Sequence, residues 1–105
     1  MAEYVQVLTT VGSEKEAAKI GEALLERRLV ACAQTIGPIT SRYRWKDELE
    51  EEREWQILAK TEAGLYPQVE AAIRALHSYE EPEILAIPVL TGSRGYLSWV
   101  SENVD

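Results

Sequence analysis

Phenylalanine is absent from this 105-residue chain, and cysteine, methionine and histidine each occur once. Asparagine also appears once, as Asn103, and aspartate only as Asp47 and Asp105. With Cys32 as the one thiol, an internal disulfide is impossible, and a reducing cytoplasm is the expected compartment. One cysteine and one histidine cannot close a four-ligand zinc site within a chain, so such a site would need carboxylates or a second subunit. No apolar run approaches the roughly 20 residues that cross a bilayer. The opening Met1-Ala2-Glu3-Tyr4 has no basic stretch followed by an apolar one, so no secretory leader is expected. Basic residues are also scarce. Lys and Arg total 11 against 18 Asp and Glu, a formal charge of −7. Such a surface repels phosphate backbones and anionic lipids, so neither nucleic acid nor membrane is an expected partner. There is no phosphate-cradling glycine loop, no dinucleotide fingerprint and no nucleophile elbow. A Cys32–His77 nucleophilic pair is conceivable, but nothing in the sequence brings the two within hydrogen-bond reach. The chain therefore reads as a non-enzyme with no organic cofactor.

What is present is an ordinary globular composition, 46% hydrophobic, with a length that suits one domain over residues 1–105. A domain this small buries only a modest core, so assembly would help it. Acidic residues that are nearly all Glu, with little Asn, Cys or Met, resemble the usage of proteins from hot environments.

Tyr4 to Val11 is short, apolar and β-branched, and predicts a buried strand. Gly12 ends it. Ser13 and Glu16 predict a capping box, and Ala17, Ile20, Gly21, Leu24 and Leu25 recur at helical spacing until Arg27-Arg28. Leu29 to Ile36 predicts a second strand, which Gly37-Pro38 interrupts as a bend or bulge. Ile39, Ser41, Tyr43 and Trp45 then alternate with Thr40, Arg42 and Arg44. From Glu48 to Glu54 propensity favours helix, yet Trp55, Ile57 and Ala59 alternate as a strand does. A long hairpin turning at Lys46-Asp47-Glu48 is the expected outcome. Gly64 opens a second helix, with Pro67 in its first turn and Leu65, Val69, Ala72, Ile73 and Leu76 on its apolar stripe. Ile84 to Leu90 predicts a fourth strand. Ser93 can cap a last helix carrying Tyr96, Leu97, Trp99 and Val100. The order βαββαβ plus a helix is the α+β, split βαβ arrangement of ferredoxin-like folds. Tyr43, Trp45 and Trp55 on the projecting hairpin form an apolar patch of the kind that marks an interface.

Five segments in this order resemble the CutA divalent-cation-tolerance family. They are Arg28-Leu29-Val30-Ala31-Cys32, Ser41-Arg42-Tyr43-Arg44-Trp45, Ala59-Lys60-Thr61, Leu76 to Ile84, and Gly95-Tyr96-Leu97-Ser98-Trp99. Each is weak alone; together they span nearly the whole chain. Ser78 departs from the proline often found in the fourth segment, an exchange expected to loosen that turn. The resemblance implies a homotrimer in which each long hairpin adds strands to neighbouring sheets. It also implies a PII-like trimeric fold and a link to tolerance of divalent metals, copper especially.

Cys32 is a soft donor suited to copper or zinc, or else a small buried hydrophobe. His77 either ligates a transition metal or complements a helix end. Glu80 lies three residues on, within reach of the same ion. Tyr79 and Glu83 either shape a turn around Pro82 or, with Tyr43, Trp45 and Lys60, line a cleft between subunits. Trp99 is expected to pack rather than bind, and Glu50-Glu51-Glu52 to be a hydrated hairpin edge, with a metal-attracting role as the alternative. The expectation is a cytoplasmic trimer that binds a divalent ion weakly through Cys32, His77 and Glu80. Its rival is a PII-like sensor taking a small molecule or anion in intersubunit clefts, and a third reading is a structural scaffold. The glutamate-rich composition predicts a calorimetric unfolding midpoint above about 70 °C, beyond the ~45–65 °C typical of mesophile domains; a lower midpoint removes the heat-adapted reading.

Overall fold

The computed structural model describes residues 3–105, so Met1 and Ala2 of the segment read for a leader lie outside it. Strand β1 runs Tyr4–Val11, helix α1 Glu14–Glu26, strand β2 Cys32–Trp45 and strand β3 Glu48–Glu62. A 3-10 turn at Ala63–Leu65 leads into helix α2, Tyr66–Leu76; strand β4 is Ile84–Pro88 and helix α3 Arg94–Glu102. The sheet order is β2-β3-β1-β4, with every neighbouring pair antiparallel. Among the described residues no helix is long and apolar enough to cross a membrane.

The core follows from the pleat. Alternate residues of a strand share a face, and Val5, Val7 and Val11 of β1 meet Ile57 and Ala59 of β3 beneath Ile20 and Leu24 of α1 and Val69 and Ile73 of α2. Each such valine, leucine or isoleucine contributes roughly 1.5–3 kcal/mol by leaving water. Leu25, expected on the α1 stripe, is 41% exposed. It falls past the edge of the contact face, which Leu24 fills. Leu29 to Ala31, expected to start the second strand, are buried but precede it. Their backbone turns in at Arg28, which takes a left-handed φ of 56°, while Leu29 carbonyl accepts from Thr61 Oγ1 at 2.6 Å. Arg28 does not finish α1 as a charge on its dipole. Its guanidinium instead donates to Asp105 Oδ1 at 3.0 Å and to the Glu102 carbonyl at 3.2 Å, fastening the end of α3.

Two capping expectations are met only in part. Ser13 Oγ accepts from Glu16 N at 3.1 Å, but the Glu16 carboxylate reaches outward to Ser78 instead of back to the cap. Ser93 occupies the position before α3 without a side-chain bond. Strand β4 stops at Pro88, two residues short of the expected end, where its partner β1 begins; Val89 N still donates to the Tyr4 carbonyl at 2.9 Å.

The hairpin is the dominant feature. Strands of 14 and 15 residues pair from Cys32↔Lys60 to Trp45↔Glu48, with a register shift between Ile36 and Ile39 at Gly37-Pro38. A Cβ on Gly37 would stand 2.5 Å from Trp55 Cδ1, so glycine is what lets the indole lie across the bulge. Glutamates with helical propensity are held as strand because cross-strand pairing and the Trp55, Ile57 and Ala59 burial outweigh a few tenths of a kcal/mol per residue. On the side of the sheet away from the helices, Ile36, Leu85 and Ile87 are 47%, 50% and 43% exposed.

Lys46 and Asp47 form the two-residue turn, both at positive φ, 51° and 67°. Side chains adopt that conformation at a cost that Asn-Gly avoids. Replacing Lys46-Asp47 with Asn-Gly raises stability by about 0.5–1 kcal/mol in chemical denaturation; an unchanged midpoint shows that the tip does not hold this turn.

Candidate functional site

Along the hairpin, from Glu54 out to Trp45, the chain forms a groove of about 690 Å³ between two walls. One wall is β2 and β3, presenting Tyr43 and Trp45 opposite Glu50, Glu52 and Glu54. The three glutamates alternate along β3, so all project to one side. The other wall is the turn after α2, presenting Tyr79, Glu80, Glu81 and Glu83. Six carboxylates thus face one groove. Its lining cation, Arg42, is already bound to Glu51 at 2.9 Å.

Two tyrosine–carboxylate pairs brace the groove. Tyr79 Oη donates to Glu54 Oε2 at 2.7 Å, and Tyr43 Oη donates to Glu52. Glu54 is only 5% exposed, so the Tyr79 hydroxyl stands in for lost water. Because each carboxylate favours the protonated phenol, both tyrosines resist ionisation. The bond to Glu52 pushes Tyr43 up to about 12. Burial, then the bond to Glu54, raises Tyr79.

The expected site residues fall into three places. Tyr43, Trp45, Tyr79, Glu80 and Glu83 share the groove. Lys60 does not; its ammonium donates to Gln34 Oε1 at 2.7 Å near the far end of β3. Cys32 pairs with Lys60, and its thiol lies 3.6 Å from Tyr96 Oη, a contact that raises the Tyr96 phenol. Trp99, expected to pack, is 41% exposed and stacks on Tyr96 at 5.6 Å between ring centroids.

His77 lies elsewhere again. Its side chain is fully buried, Nε2 is 2.8 Å from the Thr10 carbonyl, and Nδ1 accepts from Tyr79 N at 3.1 Å. Lys60 is level with Gln6 and His77 with Thr10, four residues along β1, so about 13 Å of strand separates the Cys32 row from His77. The set Cys32, His77 and Glu80 is therefore not assembled within one chain. Among the described residues no three His, Cys, Asp or Glu side chains converge to hold an ion. Ser78, expected to loosen its turn, ties it: its N and Oγ both donate to the Glu16 carboxylate, at 2.9 and 3.0 Å. Sequence reading prefers a hydrated edge to a metal-attracting role for Glu52 and does not single out Glu54. Their period-2 spacing opposite Ser41 and Ile39 was the available signal.

A ferredoxin-like sheet with an overlong central hairpin and a short terminal helix defines a distinct structural class. The family model for the CutA1 divalent ion tolerance protein matches residues 5–103, and the chain belongs to that family. It is similar to the divalent-cation tolerance protein CutA of Thermus thermophilus, 44% identical over 92% of this chain and 94% of that protein. The Thermus structure superposes with a TM-score of 0.94, at 42% identity over 97% of this chain and 99% of that one. A structure from Archaeoglobus fulgidus, described as a periplasmic divalent cation tolerance protein, gives a TM-score of 0.94 at 33% identity, covering 97% of this chain and 99% of that chain. The mouse protein CutA is 41% identical over 89% of this chain, which spans only 52% of the mouse protein.

Alkaline titration followed by ultraviolet absorbance tests the braces. Tyr43 is expected to ionise near pH 12 where a free tyrosine does so near ~10. Its raised folded value means the bond to Glu52 supports the fold fully below about pH 10 and is lost as pH climbs through the folded value. Glu52→Gln should bring that ionisation down toward ~10; no change would detach Tyr43 from Glu52.

Proposed function

We propose that the chain acts as a homotrimeric divalent-cation response protein, with the acid-lined groove as the surface that attracts the ion. The carrying observation is that Glu50, Glu52, Glu54, Glu80, Glu81 and Glu83 all line one groove in a chain of net charge −7. Family membership supports the same reading. By donor chemistry the groove suits a divalent cation held by oxygen. Copper as Cu(I), the softer form of the ion expected first, prefers sulfur ligands, and the thiol of Cys32 lies outside the groove. Since no three ligands converge among the described residues, affinity is modest until a neighbouring copy approaches or side chains move. Assembly has its own support. Ile36, Leu85 and Ile87 on the uncovered sheet face, and Leu49 at 76% exposed, are apolar side chains left in water that a second copy would cover. The free thiol of Cys32 favours the cytoplasm as its compartment.

A small-molecule sensor is the second reading, favoured by the aromatic walls of Tyr43, Trp45 and Tyr79. The carboxylates argue against an anion there, and Lys60 is held away by Gln34.

Calorimetry with Zn(II) and Cu(II), alongside light scattering, tests the main reading. The native protein should scatter at three times the chain mass. Glu80→Gln with Glu83→Gln should weaken Zn(II) binding about ten-fold, the effect of ~1.4 kcal/mol, while Cys32→Ala leaves it intact. Equal binding by the native and acid-neutralised proteins would reject the groove, and a monomer would reject the assembly.

A further inference from the structure

We propose that His77 is a positioning residue and not a metal ligand: as a neutral imidazole with its proton on Nε2, it fixes the turn that carries Tyr79 and Glu80 against the groove. The proton assignment follows from its partners. Nδ1 accepts the Tyr79 amide hydrogen at 3.1 Å, so Nδ1 carries no proton of its own. Nε2 must then bear it, and it faces the Thr10 carbonyl at 2.8 Å, which can only accept. Both nitrogens are thus committed inside a fully buried ring. Binding a metal at Nδ1 would orphan a backbone amide, and binding at Nε2 would orphan a buried carbonyl. An unmade buried bond costs about 1–3 kcal/mol before any gain from the metal is counted.

The bonds around the ring form one chain of contacts across four elements. His77 N caps α2 by donating to the Ile73 carbonyl at 2.9 Å, and the residue then turns extended, with ψ 140°. Its ring ties that turn to β1 through Thr10. Glu16 of α1 grips the next residue, Ser78, twice, with its carboxylate oxygen 3.7 Å from Nδ1. Tyr79, held at its amide by His77 and tilted against the imidazole at 4.8 Å, sends its hydroxyl to Glu54 of β3. Gly12 leaves room for this: a Cβ there would stand 3.3 Å from the Tyr79 hydroxyl oxygen. Removing the imidazole therefore releases both the amide and the direction of Tyr79, and with them the wall that bears Glu80 and Glu83. The significance for ion binding rests on the groove reading above; the bond pattern itself does not.

The test uses full-length protein labelled with 15N at histidine. Long-range 1H–15N spectra should show one protonated and one unprotonated ring nitrogen, Nε2 and Nδ1 respectively, unchanged at saturating Zn(II). A proton on Nδ1, or a ring-nitrogen signal that moves when Zn(II) is added, overturns the proposal. A second readout needs no metal. In His77→Ala, Tyr79 should ionise about ten-fold more readily, as expected when a guiding hydrogen bond is lost. In His77→Asn, whose side-chain oxygen can accept from the amide two residues on, much of the native resistance should return. Tyr79 ionising identically in all three proteins overturns the positioning role. Should His77→Ala not fold, the nitrogen spectra and the asparagine variant still decide. Failure of Zn(II) to bind at all would remove the groove reading while leaving these two outcomes to stand or fall separately.

Discussion

A sheet has two faces, and this one has helices for only one of them. Helices α1 and α2 bury Val7, Val11, Ile57 and Ala59 and so complete a core, but the opposite face keeps Ile36, Leu85 and Ile87 in water. The long hairpin aggravates the imbalance. Its outer half runs beyond the reach of either helix, and Tyr43, Trp45 and Leu49 stay exposed there. What keeps the hairpin extended is pairing along its whole length, a bulge that lets Trp55 lie flat over Gly37, and a tight turn at Lys46-Asp47. Rigidity of this kind is costly for a ribbon that stays alone and useful for one that lies on another surface.

That ribbon also builds the groove. Because β3 alternates, Glu50, Glu52 and Glu54 stand on one side of it, facing the turn after α2. Packing that many carboxylates together would raise their mutual repulsion if nothing met them. Two tyrosine hydroxyls do, at Glu52 and Glu54, and Arg74 answers Glu81 at 3.3 Å. The groove is thus stabilised by two hydrogen bonds and one ion pair, which leaves its net charge negative.

Much of this was legible in the sequence, and the failures have physical causes. The order of elements and the Gly37-Pro38 irregularity follow from periodicity and chain-breaking residues, whereas the hairpin, where propensity and pattern conflict, is decided by the resemblance of five segments. The destination of long polar side chains does not. Glu16 reads as the second half of a capping box, yet its carboxylate spans to Ser78, a residue 62 positions away. Arg28 reads as a helix-end charge, yet it fastens Asp105. His77 reads as a ligand because imidazole is a common one, and only the tertiary contact with Thr10 shows both nitrogens engaged. Side chains with three or four rotatable bonds reach partners that spacing along the chain cannot name. Strand residues such as Glu52 and Glu54 were readable in principle, since period 2 alone places them together, but a run of glutamates looks like hydration unless its partner strand is considered.

Assembly and ion binding are then two sides of one electrostatic problem. In the proposed trimer each copy brings a net charge of −7, and apolar burial draws the hairpins inward while carboxylates resist being brought close. A divalent cation in or near the groove would relieve that resistance. Any ion that binds better to the assembled state must, by linkage, tighten the assembly by the same factor. Ligands too dispersed within one chain to hold an ion firmly are what such coupling requires. A site complete in the monomer would bind equally well before and after assembly, and would report nothing. On the proposed reading, the braced, incomplete groove along the ribbon would make occupancy and association depend on each other.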